Sequence, residues 1–168
     1  MRYRLGVVSP SVAEVVRCAG GWLFDRVLAG WEVTVIVADP ANALPLRILG
    51  ATVLDLEVSL SSPTHPTQPH AVAVAGELFE SDHRVRCGVL ESLERGIIEV
   101  TVLGESCPSE LHRRVGSVQH PLSVAARAFK AQALAAAAVP VDSIDTVETF
   151  RSGLPSTRLS AAVDLIPV

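Results

Sequence analysis

A strand, a tight turn and a helix open this chain, and a second strand follows at once. Leu5-Gly6-Val7-Val8 is an apolar run closed by Ser9-Pro10. Apolar residues Val12, Val15, Val16, Ala19, Leu23, Val27 and Leu28 then recur at three-and-four spacing, which gives a helix with one broad apolar face. Gly30 is placed to end it, and 32–38 is a nearly continuous β-branched run. Unbroken runs of this kind suit strands covered on both faces, as in a parallel sheet.

The remaining chain continues the alternation. A short helix is expected over 43–49, ending at Gly50, and a third strand over 51–57. Residues 59–69 hold three prolines within seven positions, so a Pro-rich loop is expected there. Residues 71–75 suit a strand between Pro69-His70 and Gly76. A helix over 82–94, a strand over 97–103, an irregular stretch over 105–116 and an alanine-rich helix over 121–138 follow. Pro121 is expected in the first turn of that helix, and 152–168 form a C-terminal tail. The pattern predicts a single-domain α/β fold over 1–168, Rossmann-like and three-layered, with a mostly parallel sheet. Ligands of such sheets bind beyond the carboxyl ends of the strands, which gathers 9–14, 39–42 and 76–83 on one rim.

Composition narrows the function. The 168 residues carry a formal net charge of −4, against a nucleic-acid partner, which needs a basic face to displace counterions. No apolar stretch is long enough for a bilayer span, and the start lacks a secretory core; the expectation is a cytoplasmic protein with no membrane partner. Cys18, Cys87 and Cys107 form no paired motif, and Cys18 and Cys87 are expected as buried free thiols. A dinucleotide site needs glycine in the first strand-helix turn, where this chain has Ser9-Pro10-Ser11-Val12-Ala13. No Gly-x-Ser-x-Gly surrounds a serine.

Four segments carry a family likeness: Val8-Ser9-Pro10 through Gly20-Gly21 to the second strand; Arg47-Ile48-Leu49-Gly50-Ala51; Glu80-Ser81-Asp82-His83-Arg84; and Glu148-Thr149-Phe150-Arg151. In this order and spacing the chain resembles the PIG-L/LmbE-like zinc-dependent N-deacetylases. That resemblance places the metal-ligand positions at Ser11, Glu14 and His83, the general base at Ala13 and a residue assisting the transition state at Glu80. Only His83 keeps the family's residue type. Serine is a poor zinc ligand, and alanine cannot take a proton from water.

The same residues have simpler readings. Ser11-Val12-Ala13-Glu14 fits a capping box, with Glu14 reaching back to Ser11. His83 and Cys87, four apart on a helix, share a face; with Glu14, Asp39, Asp82 or Glu80 they would make a remodelled metal site, and otherwise they are a helix-start histidine and a core thiol. His65 and His70 sit in or beside the Pro-rich loop near the expected rim. His112 and His120 flank Arg113-Arg114, an anion-binding pair or plain surface. Gly20-Gly21 suit close helix packing.

The expectation is a degenerate, non-catalytic member of the resembled family, needing no cofactor and acting through a protein partner or a small sugar-type ligand. Self-association through the alanine-rich helix would make it a homo-oligomer. The alternative is a metal-dependent amide hydrolase that deacetylates an N-acetyl sugar conjugate with zinc held by Glu14 and His83. A nucleotide-sugar binding module is the third reading.

Overall fold

A computed structural model of the chain describes residues 2–61 and 68–153. The elements run β1 (Arg4–Ser11), α1 (Val12–Leu28), β2 (Glu32–Asp39), α2 (Leu44–Ile48), β3 (Thr52–Asp55), α3 (Leu56–Ser61), β4 (Ala71–Ala75), α4 (Gly76–Ser81), α5 (His83–Arg95), β5 (Glu99–Leu103), β6 (Gly116–Pro121), α6 (Val124–Ala136) and β7 (Val147–Gly153). Seven strands form one sheet in the order β3-β2-β1-β4-β5-β7-β6. The first five are parallel, and β7 joins antiparallel to both β5 and β6. The expected α/β architecture with a mostly parallel sheet is present.

The β-branched runs explain the layering. In β2, Val33, Val35 and Val37 join Leu5 and Val7 against α1, α2 and α6. Ile36 and Val8 turn to the other face, where Val74, Val100 and Val102 meet Leu78, Phe79, Val85 and Val89. Period-two alternation across a sheet with helices on both faces produces two apolar layers. No helix of the described residues is long and apolar enough to cross a membrane.

The element boundaries differ from expectation in several places, each for a local reason. The third strand stops at Asp55, because Asp55 Oδ1 accepts from the Val58 backbone N–H at 3.0 Å and turns Leu56–Ser61 into a helix. Ser59–Ser61 of the expected loop 59–69 are therefore helical; residues 62–67, with His65, lie outside the described residues. A six-residue helix, α4, replaces the expected rim loop at 76–83. The last helix begins at Val124, not Pro121, since the Ser123 hydroxyl accepts from the Ala126 N–H at 3.0 Å and caps it.

Pro121 instead ends β6, a polar edge strand that carries no alternating apolar signal. The expected tail 152–168 starts inside β7; residues 154–168 lie outside the described residues. Gly96, at φ +64, ends α5 in the left-handed conformation.

Candidate functional site

The carboxyl ends of β1, β2 and β3 present Ser11, Asp39 and Asp55, beside the starts of α4 and α5. Ser11 is the N-cap of α1, and its Oγ accepts from the Glu14 N–H at 3.3 Å. The reciprocal half of the expected capping box is absent. Glu14 turns along the helix, where both carboxylate oxygens accept from Arg17 Nη2 at 2.9 Å. The Cys18 thiol donates to the same carboxylate at 3.4 Å. Arginine three residues on wins because a charge-assisted contact from its Nη2 outweighs one backbone N–H already exposed at a helix start.

Burial pushes the Cys18 thiol up to about 11, and the Glu14 charge adds to it. Cys18 is a half-buried free thiol, whereas Cys87, expected in the core, is exposed. Ala13 lies in the first turn of α1 and offers no acceptor side chain. Asp39 is exposed and accepts from the Ala41 N–H at 3.1 Å, closing the turn after β2.

On the neighbouring elements, Asp82 caps α5 by accepting from the N–H groups of Arg84 and Val85. Arg84 holds both Asp82 and Glu57, with its Nη2 2.7 Å from Glu57 Oε1. Arg84 thereby ties α3 to α5 and keeps the Glu57 and Asp82 carboxyls below their ordinary range. Glu80 is exposed on α4. His83 is the first residue of α5 and exposed, with Cys87 Sγ 3.4 Å from its Nε2. The loop after β5 folds onto the end of β4 so closely that a Cβ at Gly76 would run into the Ser106 carbonyl oxygen.

Among the described residues, no three His, Cys, Asp or Glu side chains come together in an arrangement that holds a metal ion. Ser11 is a cap and Glu14 is committed to Arg17, so the ligand positions implied by the resemblance do not make up a zinc site as arranged. The remaining histidines are elsewhere. His70 precedes β4 at the amino-terminal edge of the sheet, away from the rim where it was expected, and its Nδ1 accepts from the Arg4 N–H at 3.1 Å. His112, Arg113 and Arg114 are exposed in the turns before β6.

Two clusters had no place in the sequence reading. Glu148 on β7 is buried against the middle of α1, where Gly21 N–H and Trp22 N–H donate to its carboxylate at 3.1 and 2.6 Å. Lys130 Nζ donates to Glu148 Oε2 at 2.6 Å and to the Arg17 carbonyl at 2.9 Å. The second cluster joins α1 to the β6–α6 junction. Asp25 accepts from the Ser123 hydroxyl and backbone N–H and pairs with His120 Nε2 at 2.9 Å. Lys130 is the only lysine of the chain and sits in an alanine-rich helix, which was the available signal for the first cluster.

Comparison with solved structures places the architecture. A deacetylase of the A40926 pseudoaglycone superposes with a TM-score of 0.64 over 92% of this chain and 98% of its own, at 16% identity. The teicoplanin deacetylase, in a zinc-inhibited form, gives 0.58 over 89% and 97% at 12% identity. The N,N'-diacetylchitobiose deacetylase of Pyrococcus horikoshii gives 0.58 over 97% and 88% at 13% identity. The fold is the one these solved deacetylases share. No family model matches the sequence, and no curated protein matches it. At identities of 12–16% the likeness is one of fold.

Proposed function

We propose that this chain is a non-catalytic protein on the N-deacetylase fold, acting by binding or assembly through the rim at the carboxyl edge of its sheet. The supporting observation is the employment of the rim residues. Ser11 caps a helix, Glu14 neutralises Arg17, Asp82 caps a second helix and Arg84 ties that second helix to α3. These four groups already have structural partners, and Ala13 cannot act as a base. Fold likeness alone does not fix activity; this reading rests on the residues. The partner is a protein or a small sugar-type ligand, and no resident cofactor is needed.

Metal-dependent N-deacetylation is the second reading. It is favoured by His83 and Cys87, two exposed metal-binding side chains in contact, and by the deacetylase names of the structural neighbours.

One experiment separates the two. Untagged protein and its His83→Ala variant are analysed for bound metal after zinc is supplied, and both are assayed for acetate release from N-acetylglucosamine and N,N'-diacetylchitobiose. The expected result is no stoichiometric metal and no acetate. Zinc that disappears in the variant, together with acetate release by the parent, overturns the proposal.

A further inference from the structure

The two edges of the sheet are finished differently. β3 is four residues long and ends on the charged Asp55, and a short edge carrying charge pairs poorly with another chain. β6, at the opposite edge, runs for six residues, Gly116–Pro121, without a lysine, an arginine or a carboxylate. Among the described residues it pairs with β7 alone, and Gly116, Ser117, Gln119 and Pro121 are exposed.

The ladder fixes which backbone groups of β6 are free. One step past the strand the Leu122 N–H donates to the Thr146 carbonyl at 2.9 Å. Residues of an antiparallel strand alternate between exchanging hydrogen bonds with the neighbour and turning away from it. Gly116, Val118 and His120 therefore bond to β7, while Ser117 and Gln119 direct N–H and C=O outward. Pro121 falls in the outward set, where its missing N–H breaks no ladder bond. Charge is divided along the same edge. Arg113 and Arg114, both exposed, precede β6. At the other end Asp145 stands opposite Ser123 in the continued register, with Asp142 shortly before it, and both are exposed. Among the described residues none of these four takes part in a salt bridge.

We propose that β6 docks onto β6 of a second copy of this chain, the two strands pairing antiparallel about a two-fold axis. With the axis at Val118, Ser117 of one copy opposes the partner's Gln119, and both residues use the N–H and C=O that β7 leaves free. The same register carries Arg113 and Arg114 toward the partner's Ser123, beside which the partner's Asp145 stands. The contact is then repeated with the roles exchanged. A two-fold contact needs a surface that is its own complement. A strand that is basic at one end and acidic at the other meets that condition when it lies antiparallel to itself. None of these residues belongs to the rim, so this edge stands or falls separately from the proposed function.

The test is sedimentation of the full chain between about 10 and 500 µM, at low and at raised salt, since a small interface associates weakly and exposed charges are screened. A dimer that grows with concentration and shrinks with salt is expected. Gln119→Pro should abolish it, because the proline removes an outward N–H and leaves the bonds to β7 intact; circular dichroism checks that the fold is kept. Two further variants read the interface without touching the strand. Arg113→Glu with Arg114→Glu, and separately Asp142→Lys with Asp145→Lys, should each weaken the dimer at least about ten-fold through like-charge contacts. An equal mixture of those two variants should associate again. A chain that stays monomeric at every concentration overturns the proposal, and protection of its Ser117 and Gln119 amides from hydrogen exchange would give the edge to residues 154–168 instead. A dimer that survives Gln119→Pro, or a mixture that fails to associate, also overturns it.

Discussion

Lys130 Nζ lies 2.6 Å from Glu148 Oε2, and the two side chains are 7% and 3% exposed. The pair is threaded into α1. Glu148 takes the N–H groups of Gly21 and Trp22, and Lys130 takes the Arg17 carbonyl one turn earlier. The groups that a continuous helix would join to one another, Gly21 N–H and Arg17 C=O, are each given a charged partner. Gly21 makes room beside the pair for Leu122, whose side chain a Cβ there would run into.

Removing one member of a buried pair leaves the other charge without compensation, which costs about 3–5 kcal/mol. Lys130→Met and Glu148→Leu should each lower stability to urea by that order, and the double variant should recover much of the loss. A double variant no better than the worse single one would show that the pair adds nothing beyond packing.

Ser11→Ala should cost about 1 kcal/mol, the usual value of an N-cap, and Ser11→Asp should cost far less. Thermal or urea unfolding reads both. A zinc-dependent difference between the two variants would point to a ligand role instead.

Burial alone would raise the Asp25 carboxyl, but hydrogen bonds from Ser123 and His120 outweigh it and hold its pKa below the ordinary value. A carboxyl depressed in the folded state binds its proton more readily when unfolded. Its contribution is therefore full above the ordinary carboxyl range near pH 4 and fades as pH falls through the lower folded value. Asp25→Asn should flatten the acid limb of the stability profile below about pH 4. An unchanged acid limb would remove Asp25 from the account.

Cys18 and Cys87 should differ sharply toward an alkylating agent. The thiolate is the reactive form. Burial and Glu14 push Cys18 up to about 11, while Cys87 is exposed beside His83. Iodoacetamide at pH 8 should label Cys87 first, and mass spectrometry of peptides should find Cys18 nearly unlabelled in the folded protein.

The first half of the fold was legible because its signals are local. The β-branched run of β2, the three-and-four spacing of α1, and Gly30, Gly50 and Gly96 at element ends each reflect a chain property that neighbours reinforce. The antiparallel extension was not legible. Its strand β6, Gly-Ser-Val-Gln-His-Pro, lies at the sheet edge and buries none of its residues, so it carries no periodicity. Glu148 was visible as part of a family-like segment, yet its task is set by backbone groups 127 and 126 positions away. The rim was read in outline. Ser11 as a cap was correct, but Glu14 chose Arg17 over the backbone, a competition between two adjacent partners that spacing alone does not decide.

The Glu148 contact also sets an order of events during synthesis. The middle of the first helix cannot acquire its final partners until the last strand has been made, 127 residues later. Long-range pairing of this kind slows folding because loop closure must precede the contact that rewards it. A ribosome releasing this chain from its amino terminus would hold α1 and the parallel strands as an unfinished intermediate. The sheet gains its antiparallel edge only when β7 arrives to join β6 to β5.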